Sequence, residues 1–141
     1  MASLMDDIIH TAESFCKNFQ ARGIFDYSIE SLKQVDDLLD EASEFILEED
    51  DLFSISSMIG CYIFEVARRN YGGTYIWLQD QQQPVLVAWE PERYSVSIKA
   101  WEKVRGRLEN GSADSIPFFI AGYREHIEIG KTKTGYQVTI I

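Results

Sequence analysis

Histidine, cysteine and proline are scarce in this chain, and so is positive charge. It holds two His, two Cys and three Pro, and 13 Lys or Arg against 23 Asp or Glu. Two cysteines without a C-x-x-C spacing are too few for a disulfide framework. Cys16 and Cys61 each sit inside an apolar helical pattern, where a thiol acts as a small hydrophobe. The histidines, His10 and His126, are not paired at i,i+4 with another ligand type, so no zinc signature forms. No apolar run approaches the length that spans a bilayer. The opening Met-Ala-Ser-Leu-Met-Asp-Asp has no basic segment followed by an apolar one, so a secretory signal is not expected and the cytoplasm is the expected location. Gly-x-Ser-x-Gly, Walker-type and kinase motifs are missing. Gly72-Gly73 follows a helical pattern and precedes a strand pattern, the reverse of the order a phosphate loop needs.

What remains is an ordinary globular composition with an uneven charge. The 141 residues, 45% hydrophobic, fit one domain over 1–141 that can bury its own core. Eight Phe, seven Tyr and three Trp argue against disorder. Residues 1–65 carry 15 acids and 3 bases, and residues 66–141 carry 8 acids and 10 bases, which makes the net charge of −10 one-sided. Such a field repels phosphate backbones and anionic membranes, so neither nucleic acid nor membrane is an expected partner. It suits a basic protein partner.

The acids concentrate between Asp36 and Asp51, where nine carboxylates stand without a Lys or Arg. Ser28 is a candidate N-cap for a helix whose apolar stripe is Leu32, Val35, Leu39, Ala42 and Ile46, widened by Leu38 and Phe45. At about 100° per residue, Asp37, Glu41, Glu44 and Glu48 fall opposite that stripe, with Asp36 and Asp40 beside them. The expectation is an acidic ridge, with Asp36, Asp50 and Asp51 at its rim. Asp36-Asp37-x-x-Asp40 also matches a Mg²⁺-diphosphate motif of prenyl-transferring enzymes. A second acidic motif is missing, however, and a solvated helix face is the stronger reading. The alternation and central Gly of an EF-hand loop are absent as well. No metal and no cofactor is expected.

The rest of the chain predicts α+β: three N-terminal helices, a small antiparallel sheet with a hairpin at about 74–89, two further helices and a C-terminal strand. A first helix is expected over 4–22, stopped by Arg22-Gly23. The third carries Leu52, Ile55, Ile59, Tyr62, Ile63 and Val66 on its stripe, with Gly60 and Cys61 small enough to admit another element. Asp80 to Gln83 read as the hairpin turn, and 93–97 as a short third strand. Ile98, Trp101, Val104 and Leu108 mark a fourth helix. Asp114-Ser115 with Pro117 opens a fifth, and 136–141 alternates weakly as a strand. Lys99, Lys103, Arg105 and Arg107 make the fourth helix basic and available to pair with the acidic stretch inside the fold. Glu65, on an otherwise apolar helix, reads as one half of an ion pair with Arg69. The sharper alternative is a partly buried general acid or base with a raised pKa, in a cleft lined by Tyr71, Tyr75 and Trp77.

The run from Ile59 to Tyr75, with Gly60, Tyr62, Glu65, Arg68, Arg69, Gly72 and Gly73 at fixed places, resembles a motif from a family of uncharacterised bacterial domains. That motif is Gly-x-Tyr-x-Gly-Glu-(apolar)-x-Arg-Arg, followed by a Gly pair and an aromatic residue. Phe25 to Leu32 and Lys103 to Gly111 fit the same pattern, so the likeness spans about 25–125. Phe64 departs from it, where the family tends to have Gly. The resemblance implies an α+β domain of bacterial origin and implies no activity.

Three functions follow as expectations. The first is a non-enzymatic binding protein, most concretely an immunity protein that neutralises a toxin through Asp36, Asp37, Asp40, Glu41, Glu44, Glu48, Asp50 and Asp51. The second is a secretion or assembly chaperone. The third is a small enzyme using Glu65.

Overall fold

The structure, a computed structural model, describes residues 3–111 and 115–140. Helix α1 (Leu4–Asn18) begins on a reciprocal cap: the Ser3 hydroxyl accepts from the Asp6 N–H at 3.1 Å, and the Asp6 carboxylate accepts from the Ser3 N–H at 3.2 Å. Its buried side is Ile8, Ala12 and Phe15. It stops four residues before the expected 22. Phe19 caps it and stacks on Phe15, and a tight turn joins Phe19 to Arg22. Helix α2 (Ser31–Ala42) starts one turn later than Ser28. Ser28 instead receives Ser31, whose N–H reaches the Ser28 hydroxyl at 3.2 Å and whose hydroxyl donates to the Ser28 carbonyl.

Helix α2 also ends at Ala42, well before 48, which corrects the acidic ridge. Its last turn has no basic residue. Glu41, Glu44 and Glu48 would stack negative charge on the negative end of the helix dipole, an arrangement that costs a few tenths of a kcal/mol per group, roughly. The chain breaks, and the next acids fall where they help: Glu49, Asp50 and Asp51 form the first turn of α3 (Glu49–Tyr71). Residues 43–48 are a connector.

Helix α3 is the axis of the molecule. Nine consecutive residues, Ile59 to Ala67, are buried, so its apolar surface closes all round rather than along one stripe. It packs on α1 and on α4 (Ala100–Asn110). At the second contact Gly60 is required, because a Cβ there would lie 2.6 Å from Trp101 Cδ1 and 3.1 Å from the Trp101 backbone. Gly72, at φ 86°, ends α3.

Strands β1 (Thr74–Leu78), β2 (Gln83–Glu90), β3 (Tyr94–Ile98) and β4 (Tyr136–Ile140) form one sheet in chain order. The pairs β1/β2 and β2/β3 are antiparallel. Strand β4 runs parallel to β3, with Val138 opposite Val96, so the sheet is mixed where an antiparallel one was expected. A parallel return needs a crossover, and α4 with α5 (Ile116–Gly130) supplies it. Asp114, expected to help open α5, lies outside the described residues; Ser115 caps that helix, with Pro117 in its first turn. Leu86, Ala88, Val96 and Ile98 bury one face of the sheet, with α5 lying on β3 and β4. The other face exposes Ile76 and Trp89. No helix among the described residues is long and apolar enough to cross a membrane.

Candidate functional site

The acidic stretch divides into a neutralised half and a free half. Asp36, with a side chain only 14% exposed, accepts from Arg107 Nε at 3.0 Å and from the Ile116 backbone N–H at 3.0 Å. Arg107 is fully buried, and its Nη2 also bonds Asp40. One arginine of α4 thus holds two turns of α2, and Asp36 in turn holds the start of α5. Burial works to lower the Arg107 pKa, but the bonds to Asp36 and Asp40 outweigh it, and the net shift is upward. Asp37 takes Lys33 at 3.0 Å, one turn away, and Glu41 takes Arg22. Glu49 takes both terminal nitrogens of Arg105, at 2.6 and 2.8 Å, which holds its carboxyl below the usual range. The pairing of helix-four bases with the acidic stretch is therefore real for Arg105 and Arg107. The diphosphate motif is also accounted for, since its three carboxylates already hold Arg107 and Lys33.

Glu44, Glu48, Asp50 and Asp51 form no ion pair with a described residue, and all four are exposed. Glu44 and Glu48 do not lie on α2 opposite its stripe; they lie in the connector. Between them stand Phe45, 70% exposed, and Ile46, 102% exposed. Leu47 alone turns inward to pack on the core. Sequence periodicity assigned Phe45 and Ile46 to the buried stripe. The signal against that assignment was present, because a helix end crowded with carboxylates and lacking bases is a poor one.

Glu65 is fully buried: its expected ion pair with Arg69 forms, but inside the fold rather than at the helix edge, and the reading of a partly buried acid with a raised pKa is overturned. Arg68 donates through Nε at 2.6 Å and Nη2 at 2.8 Å, Arg69 through Nε at 3.0 Å, and the Tyr75 hydroxyl at 2.8 Å. Burial pushes the Glu65 pKa up, and these four donors pull it further down, so it lies below the usual carboxylate range. The carboxylate stays charged at neutral pH and has no proton to give. Beyond it, the Arg69 guanidinium lies 3.7 Å from the Tyr27 ring centroid. Tyr27 adopts φ 65°, and it is held there by its N–H to the Tyr62 hydroxyl at 3.0 Å and by Asn70 on its carbonyl at 2.9 Å. The Glu65 network therefore fastens the loop before α2 and strand β1 to α3.

The other candidate chemistries lie apart. Cys16 and Cys61 are free thiols, and burial pushes Cys61 up to about 11. His10 is exposed, and His126 Nδ1 lies 2.5 Å from the Tyr136 hydroxyl. Among the described residues no group of His, Cys, Asp and Glu is placed to hold a metal ion. A cleft of about 470 Å³ runs along the open sheet face beside Ile76 and Trp89. Another, of about 260 Å³, opens between α1, α3, α4 and β1, lined by Phe53, Trp77 and Trp101. Glu65 lines neither.

No family model, no curated protein and no solved structure matches this chain. What the structure establishes is the α+β class and the placement of these groups.

Proposed function

We propose that this chain is a non-catalytic binding protein of the bacterial cytosol, of the immunity type, and that it meets a cationic toxin through the segment 44–51. One observation carries the reading: Phe45 and Ile46 project into solvent between carboxylates that no described base neutralises. An exposed aromatic and aliphatic pair is what a buried interface centre is built from, and free charges around it steer a basic partner. The interface therefore shifts along the chain from the ridge first expected. Glu44, Glu48, Asp50 and Asp51 belong to it, whereas Asp36, Asp37, Asp40 and Glu41 hold the fold or its own bases. Membership of the uncharacterised bacterial family belongs to the same proposal. The residues carrying that resemblance, Glu65, Arg68 and Arg69, serve the buried network, which suits a family motif of folding rather than of chemistry.

Affinity capture from the native bacterium, run in parallel with wild type and a Phe45→Ala, Ile46→Ala variant, tests this reading. The expected result is a basic protein retained by wild type and lost by the variant. With that partner purified, reversing Glu44, Glu48 and Asp50 to Lys should slow association about tenfold or more at low salt, and much less at high salt. Equal capture by both proteins, or unchanged association rates, would refute the assignment.

The chaperone reading has one observation in its favour, the apolar cleft on the open sheet face at Ile76 and Trp89. A stable dimer in light scattering that dissociates on Trp89→Ser would favour it. The enzyme reading loses support, because Glu65 is saturated with donors and lines neither of the clefts described.

A further inference from the structure

We propose that the cleft between α1 and the α3–α4 pair is a binding site for a quaternary ammonium group, distinct from the acidic connector. Three aromatic side chains line it. Phe53 and Trp101 meet edge to face at 5.9 Å and 87°, and Trp77 and Trp101 at 6.0 Å and 77°. Phe53 is 54% exposed and Trp77 39% exposed, so their rings are open to a ligand rather than closed over by the core. Rings set nearly at right angles around one space form the walls of an aromatic cage, the arrangement that attracts cations through ring quadrupoles.

Charge and hydrogen-bonding capacity narrow the ligand further. Asp7 lines the same cleft and forms no ion pair with a described residue. Arg105, on the far side of Trp101, is tied to Glu49 and to Glu109 at 3.4 Å, so its charge is already compensated. The site is therefore negative and aromatic. A guanidinium would bring five N–H donors and an ammonium three. The hydroxyls of Thr11 and Ser57 donate to the Asp7 and Phe53 carbonyls, each at 2.9 Å, which leaves their oxygens and the Asp7 carboxylate as the side-chain acceptors, while the aromatic and aliphatic walls supply none. A quaternary ammonium has no N–H to satisfy. Its methyl groups suit Leu4 and Ile8, which complete the wall. At about 260 Å³ the space is smaller than a drug-sized pocket of roughly 300–1,000 Å³ and fits a headgroup.

The experiment is a titration of the purified protein with choline, followed by the indole N–H signals of its three tryptophans. Its controls are 3,3-dimethylbutan-1-ol, the uncharged isostere, and sodium chloride at matched ionic strength. The expected result is a saturable shift of Trp77 and Trp101 with Trp89, on the opposite sheet face, unmoved. The isostere should bind about tenfold more weakly or worse. Asp7→Asn, an exposed change that leaves the core alone, should weaken choline several-fold, and Trp77→Ala should abolish the response in a protein that keeps its helical circular dichroism. A parallel titration with Nε-trimethyl-lysine separates the two sources of this chemistry: tighter choline assigns a free small molecule, tighter trimethyl-lysine a methylated side chain. Equal binding of choline and its isostere, absence of a saturable shift, or variants that bind like wild type would overturn the proposal.

Discussion

Replacing Glu65 with Gln tests the buried network directly. The carboxylate accepts four bonds, three from guanidinium nitrogens and one from Tyr75. Glutamine keeps one acceptor oxygen and turns an N–H₂ group toward donors. Removing one partner of a buried ion pair costs about 3–5 kcal/mol when the remaining charge is stranded. Here the stranding is partial, since Arg68 and Arg69 reach solvent at their outer edges. That places the expected loss near the lower limit, about 3 kcal/mol. For a chain of this length the melting temperature should fall by about 10 °C. The pH dependence adds a second signature. The Glu65 pKa is depressed in the folded protein, so its stabilisation is complete above the unfolded carboxylate value of about 4.3 and is lost as pH falls through the lower folded value. Melting curves by circular dichroism at neutral pH and down through the acid range should show the gap between wild type and Glu65→Gln closing only at low pH. A variant melting within a degree or two of wild type at pH 7, or a gap indifferent to acid, would refute the assignment of Glu65 as a charged structural tie.

Arg107→Met should cost about 3 kcal/mol in urea unfolding, because Asp36 then loses its only buried cation, and adding Asp36→Asn should recover part of that loss; no recovery would mean the pair is not coupled. Gly60→Ala should destabilise by about 1–3 kcal/mol, since its Cβ would press on the Trp101 backbone as well as its ring, and an unchanged unfolding midpoint would refute the close α3–α4 approach. Cys61, with its thiol raised to about 11 and buried, should resist Ellman's reagent in the native protein and react only on unfolding. Labelling of Cys61 at the rate of a free thiol would contradict its placement.

Hydrophobic spacing together with Ser, Gly and Pro signals located each element described here, even α3, which is buried all round over Ile59 to Ala67. β1 matched at both ends, having clear stops in Gly72-Gly73 and Asp80. Boundaries failed where the stop was electrostatic or tertiary. Helix α2 ended early because its C-terminal carboxylates oppose the dipole, and Arg22-Gly23 did not end α1 because Phe19 had already turned onto Phe15. The burial of Arg107 was partly legible: Ala100, Lys103, Val104, Arg107 and Leu108 share one face, which places two bases among core residues. The aromatic cleft was not legible, since Phe53, Trp77 and Trp101 come from three elements.

By itself, then, the order of residues determined the α+β class, the small helix-contact residue at Gly60 and the one-sided negative charge, all of which depend on neighbours a few positions apart. Only the tertiary structure decided which carboxylates stay free. Asp36 and Arg107 stand 71 positions apart, and Glu49 and Arg105 stand 56 apart. Ion pairs of that separation exist only once helix packing brings the partners within hydrogen-bond reach, just as the parallel docking of β4 on β3 exists only once α4 and α5 have carried the chain back across the sheet.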